Sequence, residues 1–438
     1  MFDSRALTKI QSAILAAIVI VAAVAGSITY ILWSGQEQAE NIKIGVCADL
    51  DNIAGRAVWQ EVMLAVEQVN ANGGVLGKNF EVVAEDDDSE SGLFDTFLAT
   101  NALTRLITVD KADFIVNSGR GGFSSIYQEI VSQHNKILLD GYAPFDELTQ
   151  KVLEDYDKYK YYFRVGIPNS TSLDKGVTDT FLTFREHTGL NKVAILFQEY
   201  MSGVNAIIEG ISDSLTNVEF EVVYTATISL DIVDFTSYFA KAEAAGAEIT
   251  YCVFVTPAGL PFVNEYSNRQ SPMILFGNIN SVSENEGWEL SGGNCEYITV
   301  GMYPPKANYP LTTKTIPFRD AYLSRWNTTQ IGEGALYDVV RYILPDAIER
   351  AGTIETDAVI EALEATSIET SLARNFKFTT DHDIMVGENP NDPSNDYYIA
   401  IYFQWQDGDL VPVYPKKIME EAGATYIFPD WDGPWNKP

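Results

Sequence analysis

The chain has 438 residues, enough for two or three globular units with sizeable cores. Its 61 acidic residues outweigh 29 basic ones, for a formal charge of −32. No basic stripe interrupts that field, which excludes nucleic acid and anionic membrane surfaces as electrostatic partners of the globular part.

Residues 13–33 carry no charge and are long enough to span a bilayer as a helix. Arg5 and Lys9 precede the stretch while Glu37 and Glu40 follow it, so the positive-inside bias places the globular part outside the cell. Three fates are open to this segment. It is a retained anchor, a secretory signal cut after Ala23-Val24-Ala25, or a pilin-type signal, which the start Arg5-Ala6-Leu7-Thr8 resembles. Apolar residues continuing through Ile31-Leu32-Trp33 favour the anchor. A short polar linker, residues 36–41, follows.

Residues 42–47 form a continuous apolar run, the mark of a strand covered on both faces. Residues 56–70 place Val58, Val62, Ala65, Val66 and Val69 on one helical stripe. Asn72-Gly73-Gly74 breaks that helix and residues 80–84 resume the strand pattern, giving a βαβ unit and hence a parallel sheet. A helix over 93–108, a strand over 114–116, a helix ending at Ser132 and a strand over 137–139 continue the alternation. Residues 148–162, rich in Lys, Asp and Tyr, read as an exposed excursion. A second series runs through strand 193–197, helix 204–214, strand 220–224, helix 234–245, strand 249–255, helix 258–268 and strand 273–276. A strand over 296–303 leads into Pro304-Pro305, and helices follow at 315–326, 336–351 and 357–365. Residues 397–405 and 410–414 alternate around Asp407-Gly408, a hairpin signal.

The glycine loop 119–125 stands between a strand and a helix, where backbone N–H groups and the helix dipole can hold an anionic group. A cradle for a ligand carboxylate or amide, a purely structural turn and a dinucleotide site all fit it. Ser124 in place of the third fingerprint glycine weighs against the dinucleotide, although Asp140 follows at a strand end. The acids Glu85-Asp86-Asp87-Asp88 read as a solvated strand end, and no metal is predicted there. His134, His187 and His382 are isolated and read as surface or capping residues. Nothing pairs a nucleophile with a base, and neither Gly-x-Ser-x-Gly nor His-Glu-x-x-His occurs, so no enzyme and no cofactor are predicted. Cys47 and Cys252 fall in predicted strands as small apolar groups, which leaves Cys295 as a disulfide candidate.

The run ANGGVLGKNFEVVAEDDDSE resembles the signature after the first helix of type I periplasmic binding proteins of the branched-chain amino-acid group. DFIVNSGRGGFSS, YYFRVGIPNS, DFTSYFAKAEAAGAEITYCVF and YDVVRYILPDAIERAG extend the likeness in order, over roughly residues 41–417. The resemblance implies an α/β fold of two Rossmann-like lobes joined by three crossings, which the apolar stretch 13–33 precedes as an N-terminal transmembrane helix. Lobe 1 is expected from residues 41–165 plus 304–380, lobe 2 from 166–303 plus 381–438, and the anchor and linker from 1–40. The resemblance further implies an extracytoplasmic solute-binding protein that closes on a small molecule, a branched-chain or other amino acid, and delivers it to ABC permease subunits. A ligand-sensing ectodomain of the same fold is the alternative. Expected ligand contacts are Gly121, Gly122, Phe123, Ser124, Tyr142, Ala143, Tyr200, Thr256, Asn278 and Asn280. Where relatives have a serine cluster this chain has Gly121-Gly122-Phe123, and Asn278-Ile279-Asn280 stands where they place an acid. Those neutral amides also suit an amide- or urea-type solute, unless Asp140 or Glu284 replaces the acid.

Overall fold

A computed structural model describes residues 40–87, 95–118, 122–199, 203–283, 286–328, 331–387, 392 and 396–436. The apolar stretch 13–33 lies outside these residues, and among them no helix is long and apolar enough to cross a membrane.

β1 (Ile42–Ala48) and β2 (Phe80–Asp86) flank α1 (Ile53–Ala71) and pair in parallel, from Ile42 opposite Phe80 to Ala48 opposite Asp86. β3 (Phe114–Asn117), β4 (Ile137–Asp140) and β5 (Tyr162–Arg164) complete a parallel five-stranded sheet in the order β2-β1-β3-β4-β5. Ile42, Ile44, Val46 and Cys47 are all fully buried, as a strand sandwiched between helix layers requires. α2 (Thr96–Thr108), capped by the Asp95 carboxylate, and α3 (Ser124–His134) provide the crossovers.

Residues 146–162 depart from the expected excursion. They form α4 (Asp146–Glu154), a helical turn over Tyr156–Tyr159, and the start of β5. Leu148 and Val152, one turn apart, are fully buried, a pairing hidden in the sequence by the charged residues around them. α5 (Ser170–Thr188) was not expected either. Gly176 and several threonines lower its helix propensity, yet Val177, Phe181 and Phe184 bury one face and the Asn169 side chain caps it.

The second sheet repeats the first. β6 (Lys192–Gln198), β7 (Glu221–Ile228), β8 (Ile249–Phe254), β9 (Ile274–Ile279) and β10 (Thr299–Gly301) run parallel in the order β7-β6-β8-β9-β10, with α6 (Val204–Asn217), α7 (Thr236–Ala244) and α8 (Gly259–Arg269) between them. β11 (Tyr402–Gln406) and β12 (Asp409–Tyr414) then add an antiparallel hairpin beyond β10. Asp407 and Gly408 both have positive φ, 52° and 89°, the turn geometry that the Asp-Gly pair signals.

After β10 the chain returns to the first sheet. α9 (Thr315–Trp326) and α11 (Thr356–Glu364) pack there, with α10 between them, built from Ala335–Asp338, a π turn over Val339–Ile343, and Leu344–Ala351. Phe318, Leu336, Val340, Leu344, Ile348 and Leu363 share one core cluster with Ile44 and Leu138. The π turn lies just before Pro345, whose ring has no N–H to continue the regular ladder. Ile384 and Tyr398 still belong to this cluster, whereas Phe403 of β11 does not, so the chain passes between the two sheets three times. A buried carboxylate seats the returning helix: Glu61 of α1 accepts the N–H groups of Gly334, Leu336 and Tyr337 at 2.8, 3.2 and 3.2 Å.

Cys295, a disulfide candidate, forms none, and all three cysteines are buried free thiols. Two further expectations are corrected by long-range packing. His382 is fully buried, stacked on Phe163 with 3.9 Å between ring centroids, its Nε2 2.9 Å from Glu364 and its Nδ1 3.0 Å from the Tyr162 carbonyl. His134 is exposed as expected, and the His187 side chain lies outside the description. Asp87 is buried rather than solvated, accepting the Tyr127 hydroxyl at 2.8 Å, while Asp88 lies outside the described residues.

Candidate ligand-binding cleft

Loops leaving the carboxyl ends of parallel strands are where open α/β sheets bind ligands, and the described expected contacts lie near such ends: Gly122, Phe123 and Ser124 after β3, Tyr142 and Ala143 after β4, Thr256 after β8, and Asn278 and Asn280 at the end of β9. Gly121 and Tyr200 lie outside the described residues. On the first sheet, Gly122 is exposed, but Phe123 is buried against Tyr127, with 6.2 Å between ring centroids, and belongs to the core. Ser124 is fully buried at the start of α3, beside Asp140.

Asp140 is not the replacement acid. It is fully buried at the end of β4 and accepts the Tyr142 N–H at 3.1 Å and the Tyr162 hydroxyl at 3.3 Å. Burial raises its pKa, while Ser124, the Tyr142 N–H and the Arg164 charge oppose that shift. Glu284 lies outside the described residues. Arg164, also fully buried, holds the same loop from beneath. Its guanidinium donates to the carbonyls of Ala143 and, at 2.8 Å, Phe145, and lies 3.1 Å from Asp383. Ala143 is therefore buried and held through its backbone, whereas the Tyr142 side chain, just beyond the end of β4, is 37% exposed. Gly166 lets β5 turn away here, since a Cβ at that position would sit 2.0 Å from the Gly141 carbonyl oxygen.

On the second sheet, Thr256 is half-buried just beyond β8, and Asn278 and Asn280 are exposed at the end of β9. Asn280 Nδ2 donates weakly to the Val255 carbonyl at 3.4 Å, tying the two loops together. Gln198, at the end of β6, was missed. It is fully buried and bonds three atoms of the Val255–Thr256 segment. A polar residue closing an otherwise apolar strand was the available signal. Beside Thr256 lies an open depression of about 370 Å³, walled by Leu230, Ile232, Val233, Pro257, Ala258 and Pro261 together with the exposed Asp231. Among the described residues no cluster of three His, Cys, Asp or Glu side chains could hold a metal ion.

Two repeated parallel sheets, joined by three passages of chain and offering polar and aromatic groups at their strand ends, are the architecture of two-lobed solute-binding proteins. The sequence profile of the periplasmic binding proteins matches residues 41–400, and the chain belongs to that family. A Leu/Ile/Val-binding protein homolog of Brucella abortus is 23% identical over 367 residues, covering 80% of this chain and 85% of the relative. A structure from Silicibacter pomeroyi assigned as a branched-chain amino acid ABC transporter has a TM-score of 0.76 at 21% identity, covering 90% of this chain and 100% of that one. A solute-binding protein from R. palustris in complex with benzoate has a TM-score of 0.64 at 17% identity, covering 85% and 96%. At these identities the two structures establish the fold.

Proposed function

We propose that the protein captures a small solute outside the cell membrane and delivers it to an ABC permease. In this reading, a lobe of residues 41–165 plus 304–380 closes by hinge motion on a lobe of residues 166–303 plus 381–438. Closure buries the solute, and the closed form is what the permease engages. Residues 13–33 tether the protein, and an intact mass that includes them would support retention. A mature start near Gly26 would mean secretion instead.

One observation carries the ligand class: the half-buried Thr256 lines an apolar depression, and the exposed Asn280 amide reaches the carbonyl of its neighbour Val255. That combination suits a solute with an apolar body and a polar head. Branched-chain amino acids have that form, as does the benzoate held by the R. palustris relative. Amide- or urea-type solutes are the second reading, because Asn278 and Asn280 offer both donors and acceptors but no charge.

The test is thermal unfolding of the detergent-solubilised full chain, followed by tryptophan fluorescence, with leucine, valine, benzoate, amides and urea. A ligand present at 100 times its Kd stabilises by about 2.7 kcal/mol. Stabilisation by leucine or valine supports the reading. Stabilisation by amides alone overturns the amino-acid assignment.

A further inference from the structure

Gln198 fixes the direction of a hydrogen bond at the cleft surface. Its Oε1 accepts the backbone N–H groups of Val255 at 3.0 Å and Thr256 at 3.1 Å. Two backbone donors can face only the oxygen of an amide, so the orientation of the side chain follows from its neighbours. The other end, Nε2, can only donate, and it donates to Thr256 Oγ1 at 2.7 Å. The Ala258 N–H donates to the same oxygen at 3.3 Å. Both lone pairs of the Thr256 hydroxyl are thus engaged, and no described residue accepts its hydrogen.

We propose that Gln198 makes Thr256 an obligate hydrogen-bond donor, so that the cleft selects solutes presenting an oxygen acceptor, a carboxylate or carbonyl, beside an apolar body. This deepens the function proposed above and rests on it. The apolar body occupies the depression of Leu230, Val233, Pro257 and Pro261, which begins at Thr256. A cationic head at the same point would meet a hydroxyl proton, and the acid that lines the depression, Asp231, is exposed to water and screened by salt. Gln198 itself is fully buried and touches no solute; it is a positioning residue.

Three probes sharing one isobutyl group separate the possibilities: L-leucine, 4-methylpentanoate, which lacks the ammonium, and 3-methylbutylamine, which lacks the carboxylate. Calorimetric titration of the full chain should show binding of the first two and none of the amine. Thr256→Val should weaken both by about tenfold or more, the range for hydrogen bonds to charged groups, and Thr256→Ser should restore them. Gln198→Glu is the decisive variant. Its second carboxylate oxygen accepts the Thr256 proton and turns the hydroxyl inward, so it should weaken binding as Thr256→Val does while threonine is still present. Equal binding of amine and acid, or wild-type affinity for 4-methylpentanoate in Gln198→Glu or Thr256→Val, would overturn the proposal.

If none of the probes titrates, the amino-acid reading fails, and the inference is decided on the unliganded protein. With ¹⁵N-glutamine labelling, one Gln198 amide proton should be protected from exchange and should lose that protection in Thr256→Val. An unchanged resonance refutes the fixed polarity whatever the protein binds.

Discussion

Replacing Arg164 by methionine keeps much of the side-chain volume and removes the charge that organises the first-sheet end of the cleft. Arg164 is fully buried and its partner Asp383 is 4% exposed, so water cannot take the place of the lost guanidinium. The variant leaves one buried carboxylate and the carbonyls of Ala143 and Phe145 without their donor. Removing one member of a buried pair costs about 3–5 kcal/mol. The loss also depends on pH. Burial already holds Asp383 up at about 6 despite Arg164, and without that charge it rises further. Near pH 5 the variant's Asp383 is protonated, and the loss shrinks to the two carbonyls, about 2 kcal/mol at roughly 1 kcal/mol each. Urea unfolding followed by tryptophan fluorescence at pH 7 and pH 5 reads both values, provided the slope with urea is unchanged. The double variant Arg164→Met/Asp383→Asn should recover part of the pH 7 loss. A single-variant loss below about 1 kcal/mol at pH 7, or additive losses in the double variant, would refute the hub assigned to Arg164.

Glu61 and Asp338 should give the stability profile an acid-side maximum. Burial raises them to about 7 and about 6, above their unfolded values, so the stability each confers is complete below pH 4 to 4.5 and is lost as pH rises through 6 to 7. Glu61 alone accounts for a loss on the order of 3 kcal/mol between pH 4.5 and 8, which Glu61→Gln should flatten in urea titrations across that range. Gly166→Ala should destabilise by about 2–3 kcal/mol, because its Cβ cannot share space with the Gly141 carbonyl; calorimetry measures the drop in melting temperature. Residues 41–438 expressed alone should melt cooperatively, and persistent aggregation of that fragment would contradict the fold's independence from the first 40 residues.

Segments whose structure follows from neighbouring residues were legible in the sequence. The apolar strand over 42–47, the stripe from Val58 to Val69 and the Asp407-Gly408 turn all lie where the pattern puts them. α5 was not, because its buried stripe of Val177, Phe181 and Phe184 is diluted by threonines and Gly176 that only tertiary packing overrides. His382 shows the same limit for side chains. Its partner Tyr162 is 220 residues away, and no local pattern distinguishes it from the exposed His134. Thr256, Asn278 and Asn280 lie at or just beyond strand ends, where the pattern puts them. Gln198 could not be assigned a role, because what it does depends on a loop 57 residues later. Asp140 misled for the opposite reason: a strand-end acid beside a glycine loop is a plausible ligand partner until Tyr162 and Arg164 are seen to enclose it.

Under the hinge closure proposed above, the order of strands makes each sheet a lever. The chain leaves the first sheet at β5 and the second at β10, whereas β2 and β7 form the opposite edges. In a rotation about the connecting passages, the points furthest from them sweep the longest arc. Phe97, in the first turn of the helix that follows β2, and Thr225, on β7 itself, are exposed on those sides and lie outside the depression beside Thr256. Since all three native thiols are buried, cysteines introduced at these two positions would be the reactive handles for a pair of fluorophores. The two sites thus form a built-in ruler, on which a few degrees of hinge rotation reads out as a change in energy transfer.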